Sequence, residues 1–221
     1  MMGTKYALFF LLVLISASLC HSGCASESSY LVNLDFVKEA IVNYHESGNF
    51  RKDTERAVNE ALEKFNKINP GEKSAVIFDV DEAPISNYQF IKEWDFGYVP
   101  QYFDMWIDSA KAPPIPEVLN LYSYLVGRNF KIVFITARKD FQYDATRKNL
   151  INAGYTVFDT IIVKDKKYHG MTALKFKSEK REELVRRGYT ISGTVGDQWS
   201  DLEGPYHGIQ VKIPNYQYII Y

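Results

Sequence analysis

The chain has 221 residues, of which 26 are Lys or Arg, 27 are Asp or Glu, and 46% are hydrophobic. This length predicts one domain with at most a small appendage, and the hydrophobic fraction can build a core, which argues against intrinsic disorder. A formal charge of −1 provides no general basic field. The composition therefore disfavours a protein that binds nucleic acid.

Both cysteines, Cys20 and Cys24, lie close to the N-terminus, and no thiol follows them. The rest of the chain therefore lacks a cysteine nucleophile, a cysteine-based zinc site and a disulfide framework. The chemistry of the protein must come from other side chains.

The N-terminal residues are typical of a secretory signal peptide. Lys5 precedes an apolar stretch over residues 6–19, which is short for a membrane span. We predict a signal peptide over residues 1–25, a mature domain over 26–221 without a transmembrane span, and a secreted or periplasmic location. The alternative is lipidation of Cys24, which would anchor the protein to a membrane.

Two amphipathic helices are predicted next. Asn33 is a candidate N-cap for a helix whose apolar residues recur at helical spacing until Gly48 and Asn49. A second helix continues to about Ile68, where Asn-Pro-Gly follows.

Five short apolar runs then alternate with helical stretches. The predicted strands are residues 74–79, 131–136, 160–163, 190–195 and 208–213, and the predicted intervening helices are 117–126, 144–153 and 178–187. Buried strands that alternate with helices indicate an α/β fold, with a parallel sheet covered on both faces.

Residues 82–116 do not follow this alternation and are rich in aromatic residues and proline. We predict an irregular helical insert over the edge of the sheet rather than a separate domain. Tyr88 and Trp94 are candidate substrate-pocket residues because they follow soonest after the first strand.

Polar residues stand at the carboxyl ends of three predicted strands, where ligands bind in parallel α/β folds. Asp79 and Asp81 follow the first, Thr136 closes the second, and Asp197 and Asp201 follow the fourth. Each motif alone is compatible with a solvated strand end or a helix cap. Together, oxygen ligands without His or Cys suit a hard cation such as Mg²⁺.

Two further features suit a phosphate group. Thr136 and the backbone N–H groups after it could bind phosphate oxygens at a strand-to-helix turn. Lys175 and Lys177 precede Ser178, the predicted N-cap of the last long helix, so either lysine could meet a phosphate at this edge. The combination predicts phosphoryl transfer with a carboxylate nucleophile.

At these residues the chain resembles the haloacid dehalogenase (HAD) superfamily of phosphohydrolases, and most of all the class B and plant acid phosphatases, which include vegetative storage proteins. The resemblance covers most of residues 30–221. It implies a HAD-like Rossmannoid three-layer sandwich with N-terminal helices and a small helical insert instead of a large cap domain. The matching segments are residues 78–82, 134–138, 144–155, 176–178 and 196–202.

The resemblance also implies roles for the acidic residues. Asp79 would be the nucleophile that becomes an aspartyl-phosphate, and Asp81 the general acid and base. The Mg²⁺ ligands would be Asp79, the backbone carbonyl of Asp81, Asp197, and Asp201 directly or through water.

Phosphate oxygens would be held by Thr136, the N–H of Ala137 and Lys177, rather than Lys175. One residue departs from the family pattern: Ala83 stands where a threonine is usual. We expect weaker order in this loop and reduced turnover, but not the loss of a catalytic group.

The sequence thus predicts a secreted, Mg²⁺-dependent acid phosphatase that hydrolyses small phosphomonoesters. The insert could stack a nucleobase, so a nucleotide is a candidate substrate. The alternative is a non-catalytic storage or surface protein with a vestigial site; a phosphoaspartate receiver is disfavoured by the signal peptide. The tyrosines near the C-terminus (Tyr216, Tyr218 and Tyr221) are expected to pack against the sheet or mediate homo-oligomerisation.

Overall fold

The structure is a computed structural model, and it describes residues 31–220. The predicted signal peptide and Cys24 lie outside the described residues. Within the described part of the chain, none of the helices combines the length and apolar character needed to cross a membrane.

A five-stranded parallel sheet forms the centre of the fold, as the sequence predicts. Its order is β3-β2-β1-β4-β5, so the first strand in the chain is also the central strand of the sheet. The strands are β1 (Ser74–Phe78), β2 (Lys131–Lys139), β3 (Thr160–Lys164), β4 (Thr190–Gly196) and β5 (Ile209–Lys212).

Helices connect and cover these strands. In chain order they are α1 (Leu34–Glu46), α2 (Asn49–Asn66), α3 (Tyr88–Glu93), α4 (Pro100–Ser109), α5 (Pro116–Gly127), α6 (Tyr143–Asn152), α7 (Ala173–Arg186) and α8 (Trp199–Leu202). Two 3₁₀ turns, Asp140–Gln142 and Lys166–Tyr168, precede α6 and α7.

One helix boundary differs from the prediction. Helix α7 begins at Ala173, because the side chain of Thr172 is the N-cap and accepts a hydrogen bond from the backbone N–H of Lys175 at 3.3 Å. Ser178 is therefore inside the helix and is not its cap. Lys177 consequently projects from the second turn of α7 rather than from a loop.

Hydrophobic side chains cover both faces of the sheet, because side chains alternate along a strand. On one face, Val76 and Phe78 belong to the core that includes residues of α2, α5 and α6. On the other face, Ile77 packs in a second core with Phe176 and Leu184 of α7. These two cores make the three-layer sandwich that the resemblance implies.

The aromatic insert lies between β1 and α5 and contains the short helices α3 and α4. Ring stacking joins the two helices: Phe90 stacks on Trp106 with ring centroids 5.3 Å apart, and Trp94 stacks on Tyr102 at 4.3 Å. Such rings contribute apolar burial together with a preferred geometry. The prediction of a small helical insert is correct.

Candidate active site

Asp79 emerges from the central strand at the carboxyl edge of the sheet. In the register, Phe78 pairs with Phe134 of β2 and with Val195 of β4, and the N–H of Asp79 donates to the carbonyl of Val195 at 2.9 Å. Asp79 is only 7% exposed. The sheet therefore places Asp79 at its carboxyl edge, between β2 and β4.

Lys177 reaches this carboxylate from helix α7. Its ammonium group donates to Oδ1 of Asp79 and to Oδ1 of Asp201, the latter at 2.6 Å. Lys177 is buried, with 4% of the residue exposed. A buried ammonium group needs such partners, because desolvation of an unpaired charge is costly.

Three buried carboxylates meet at this point. Asp79, Asp197 and Asp201 each offer one oxygen, and these three oxygens lie within 4.8 Å of one another. The loop after β4 makes this possible because α8 turns Asp201 back, and the backbone N–H of Gln198 donates to its Oδ2 at 2.9 Å. A Cβ on Gly196 would collide with Asp201, so only glycine permits the approach.

The carboxylate of Asp197 is oriented by two amide side chains. Gln198 Nε2 donates to its Oδ2 at 2.5 Å, and Asn215 Nδ2 donates to the same oxygen at 2.7 Å. Burial and the charge of Asp201 raise the pKa of Asp197 to about 7, whereas these two hydrogen bonds act in the opposite direction.

Burial and the neighbouring charges shift the pKa values of Asp79 and Lys177. Burial raises the pKa of Asp79 well above its usual value, and the charges of Asp201 and Asp197 add to this effect, while Lys177 opposes it. Burial would lower the pKa of Lys177, but Asp201 and Asp79 outweigh it and raise that pKa. The lysine therefore stays charged.

Asp81 occupies a different environment, beside Arg138. Arg138 donates from Nε to Oδ2 of Asp81 at 2.9 Å and from Nη2 to Oδ1 at 2.6 Å, and Asn87 Nδ2 donates to Oδ1 at 2.8 Å. Burial alone would raise the pKa of Asp81, but the charge and hydrogen bonds of Arg138 prevail and lower it. The side chain of Asp81 thus points to Arg138, and the carboxylates of the triad belong to the other three aspartates.

Thr136 and Ala137 lie at the same edge, although not at the end of a strand. Strand β2 continues to Lys139, with an irregularity in its pairing between Ile135 and Lys139. Thr136 is buried, and its Oγ1 accepts a hydrogen bond from the N–H of Arg138 at 3.1 Å. The predicted strand-to-helix turn is therefore a bulged continuation of the strand.

A cavity of about 470 Å³ opens above these residues. Asp79, Asp81, Thr136, Ala137 and Lys177 line its polar floor. Its wall is largely the apolar side of the insert, including Phe90, Ile91, Trp94, Tyr98, Val99, Tyr102 and Phe103. The arrangement can hold an anionic group on the floor and an apolar group against the wall.

The structure corrects one pocket prediction. Trp94 lines the cavity, but Tyr88 does not. Tyr88 stacks on His45 with ring centroids 4.0 Å apart, and its hydroxyl donates to Glu46 at 3.2 Å. Closeness in sequence to the nucleophile cannot predict this, because the rotation of helix α3 decides which way its first residue points.

Several residues of the site were not predicted. Arg138 and Glu82 lie in segments that carry the resemblance but, like Gln217, had no predicted role. Tyr218 was expected only to pack against the sheet or to mediate association. Glu82 is buried and has a positive φ of 51°. Its carboxylate accepts from the N–H of Asn87 at 2.6 Å and from Gln217 Nε2 at 2.9 Å, and burial raises its pKa to about 7.

Tyr218 lines the cavity, a position that the sequence does not predict for it. The expectation that the tyrosines near the C-terminus mediate association stays a prediction. Tyr216 instead packs edge-on against Tyr44, with ring centroids 4.9 Å apart. The third of these tyrosines lies outside the described residues. No periodic signal marks Tyr218, since the segment that carries it is neither helix nor strand.

The loop with Ala83 is held by bonds that need no hydroxyl at this position. The methyl group of Ala83 is completely buried. The neighbouring carbonyl of Pro84 accepts from Tyr155 Oη at 2.9 Å and from the N–H of Ile115 at 2.9 Å. These contacts provide an anchor for the loop where the family threonine is missing.

The donor set fits a divalent cation. Asp79, Asp197 and Asp201 bring three anionic oxygens together, whereas Lys177 is the cation that pairs with two of them. Carboxylate oxygens are ligands that hard divalent cations prefer. Burial raises the pKa values of Asp79 and Asp197 most, and the neighbouring carboxylates add to this effect with negative charge that such an ion would offset.

Comparison with known proteins agrees with this site. The family model for HAD superfamily subfamily IIIB (acid phosphatase) matches residues 12–220. Acid phosphatase 1 of Solanum lycopersicum is 33% identical over 192 residues, which are 84% of this chain and 74% of that protein. Vegetative storage protein 1 of Arabidopsis thaliana is 31% identical over 148 residues, which are 65% of this chain and 54% of that protein.

The fold has a solved counterpart. The class C acid phosphatase of Bacillus anthracis with tungstate bound superimposes with a TM-score of 0.70 and 25% identity, covering 84% of this chain and 86% of that one. Fold and site together define a phosphoric monoester hydrolase of the α/β class. The chain belongs to the HAD superfamily, subfamily IIIB, the acid phosphatases.

Proposed function

We propose that this protein is a secreted, Mg²⁺-dependent acid phosphatase that hydrolyses small phosphomonoesters through an aspartyl-phosphate on Asp79. One observation carries the proposal: Asp79 lies on the floor of a cavity, beside a buried lysine and two further buried aspartates. Asp79 thus lies where a lysine, and a cation held by the aspartates, would neutralise the charge of a bound phosphate.

In the proposed reaction Asp79 is the nucleophile and Asp81 transfers protons. In the first step a bond forms between an Asp79 oxygen and phosphorus, and the bond to the leaving oxygen breaks. The leaving oxygen takes a proton from Asp81, which must first take one up from solvent because Arg138 lowers its pKa. In the second step water gives a proton to Asp81 and its oxygen forms a bond to phosphorus, while the bond between phosphorus and the Asp79 oxygen breaks, which releases phosphate and restores the Asp79 carboxylate. Arg138 fixes the direction of the Asp81 carboxylate.

Charge neutralisation supports both steps. Lys177 touches the nucleophile and would meet a phosphate oxygen beside it, and Thr136 with the N–H of Ala137 would hold the others. Asp79, the backbone carbonyl of Asp81, Asp197 and Asp201 would hold Mg²⁺. When bound, this ion would neutralise charge on the carboxylates and on the phosphate.

The cavity wall supports a substrate with a flat leaving group, and a nucleoside monophosphate is one such candidate. Trp94 and Tyr102 form a stacked pair at this wall, and Tyr98 lies near them in the lining. Aromatic side chains stack on any base, so this wall favours flat rings over sugars.

The central test is hydrolysis of an aryl phosphate by the exported protein, with and without Mg²⁺. We expect hydrolysis that a chelator abolishes and added Mg²⁺ restores, and we expect none with Asp79→Asn. Asp79→Asn preserves the size of the side chain and removes the attacking oxygen anion. Full activity of this variant would contradict the mechanism.

A storage protein with a vestigial site is the second candidate function. Ala83 in place of the family threonine and the similarity to vegetative storage protein 1 favour it. Bound Mg²⁺ with no turnover on any phosphomonoester in a broad panel would support this candidate over the enzyme.

The proposed secretion rests on the N-terminal sequence. Lys5 and the apolar residues that follow it are the supporting features. N-terminal sequencing of the exported protein tests it: we expect the first residue to be Ser26. A product that begins at a lipid-modified Cys24 would instead establish the anchored form.

A further inference from the structure

A segment after the last strand crosses the active site. We call residues 214–220 the crossing segment. It follows β5 directly, after Ile213 pairs its N–H with the carbonyl of Gly196 at 2.9 Å. The segment contains no helix or strand, yet it contacts Asp197 of the acidic cluster, Gln198 beside it and Glu82 in the loop after β1. Irregular backbone in such a place needs specific hydrogen bonds to hold it.

The first contact is made by Asn215. Its Nδ2 donates to Oδ2 of Asp197 at 2.7 Å, while its Oδ1 accepts from the backbone N–H of Gln217 at 2.8 Å. Both ends of the amide are therefore engaged. Because the backbone N–H can only donate, the oxygen of the amide must face it, and the NH₂ group must face Asp197.

The second and third contacts fix the rest of the segment. Gln217 Nε2 donates to Glu82 at 2.9 Å, which ties the segment to the loop after the nucleophile. Gln198 Oε1 accepts from the N–H of Ile220 at 3.0 Å, and this same side chain donates to Asp197. The crossing segment thus links the loop after β1 to the loop after β4.

These contacts decide how Asp197 presents its oxygens. Asn215 and Gln198 both donate to Oδ2, so Oδ1 receives neither bond. Carboxylates that ligate metals are usually oriented by such outer partners, and loss of a partner weakens metal affinity by roughly 10- to 100-fold. Lys177 contacts Asp79 and Asp201, so Asp197 depends on these amides instead.

We propose that Asn215 is a positioning residue that orients Asp197 for a divalent cation, and that the crossing segment is thereby a component of the active site. The inference rests on the proposed function for its metal site. Its test uses metal affinity, so it does not depend on turnover.

The first test variant is Asn215→Ser in the full-length exported protein. Serine can also accept the N–H two residues later and so keep the turn, but its short side chain cannot reach Asp197. We expect Mg²⁺ affinity, measured by isothermal titration calorimetry, to fall by roughly 10- to 100-fold. With an aryl phosphate, the Mg²⁺ concentration for half-maximal activity should rise by a similar factor, and kcat at saturating Mg²⁺ should change far less.

The second variant, Asn215→Asp, keeps the size and the accepting oxygen and replaces the donating group with an oxygen that faces Asp197. We expect its Mg²⁺ affinity to fall as well. Tighter binding would overturn the inference, because it would make position 215 a direct ligand. This variant also decides the question if Asn215→Ser does not fold.

Tyr216→Phe is the matched control, since it lies next to Asn215 on the crossing segment and keeps its ring against Tyr44. Its Mg²⁺ affinity should equal that of the wild type. Affinities within about twofold of wild type in both Asn215 variants would overturn the inference, as would a wild type that binds no divalent cation. A wild type that binds Mg²⁺ without turnover would contradict the proposed function alone.

Discussion

Arg138 donates two hydrogen bonds to the carboxylate of Asp81, from Nε to Oδ2 at 2.9 Å and from Nη2 to Oδ1 at 2.6 Å. The guanidinium group is buried and also donates to Thr146 at 3.2 Å. This two-point geometry is specific to arginine. Asp81 therefore has a fixed direction beside the nucleophile.

Arg138→Met should destabilise the protein by about 3 kcal/mol, because it leaves a largely buried carboxylate without its partner. Urea unfolding followed by circular dichroism measures the change. Arg186→Met is the matched control: it removes an exposed ion pair with Glu182 and should cost less than about 1 kcal/mol. Equal stability losses in the two variants would contradict this account of the Arg138–Asp81 pair.

Lys177→Met should lower kcat/KM for an aryl phosphate by roughly 100-fold or more, because it removes the charge that touches Asp79 and would meet the phosphate. Lys175→Met is the control on the same helix, since Lys175 is exposed and lies outside the cavity lining. Its kcat/KM should match the wild type. A larger loss of kcat/KM in Lys175→Met than in Lys177→Met would refute the assignment of Lys177.

Changing Trp94 should alter substrate preference. Trp94→Ala removes a ring from the apolar wall, and base stacking is worth about 1–3 kcal/mol, so kcat/KM for a nucleoside monophosphate should fall by roughly 5- to 150-fold. For a sugar phosphate it should change little. Tyr88→Phe, outside the cavity, should leave both values unaltered; equal losses on both substrates in Trp94→Ala would reject stacking.

His45 should make the protein less stable in acid. It stacks against Phe50 and Tyr88, and burial lowers its pKa from 6.5 to about 4 in spite of the nearby charge of Glu46. Between these two pH values the unfolded chain takes up a proton that the folded protein does not. The contribution of this histidine to stability is therefore full above about pH 6.5 and declines as the pH falls to about 4.

Replacement of His45 by phenylalanine tests this, because Phe keeps the stacking and cannot be protonated. We expect the free energy of unfolding, measured with urea at pH 7, 5 and 4, to fall less between pH 7 and pH 4 in His45→Phe than in the wild type. His169→Gln, at an exposed position, is the control for removal of a histidine. Parallel curves for wild type and His45→Phe would contradict the prediction.

Much of the fold could be predicted because its signals are local. Apolar runs of strand length alternate with helical periodicity, and this pattern alone indicates a parallel sheet with helices on both faces. The errors are local as well. Thr172 competes with Ser178 as the cap of α7, and β2 continues past Thr136 through a bulge that leaves no compositional mark.

The acidic cluster could also be predicted from the sequence, since parallel strands bring their carboxyl ends to one edge of the sheet. Asp79, Asp197 and Lys177 meet there as the order of strands and helices suggested. Their proposed roles in catalysis remain predictions. The contacts of Arg138, Asn215 and Gln217 could not be predicted in this way, because a single polar residue has the same appearance in the sequence whether it faces solvent or another polar side chain.

By itself, the sequence determined the elements, the edge of the sheet where acids and phosphate-binding groups gather, and the family. Only the tertiary structure decided which partner each acid has: Arg138 for Asp81, Lys177 for Asp79, and Asn215 for Asp197. The physical reason is the distance along the chain over which each kind of interaction acts. Periodicity follows from hydrogen bonds and burial along a few neighbouring residues, whereas these pairs join segments that are distant in the chain and are close only after the sheet has formed.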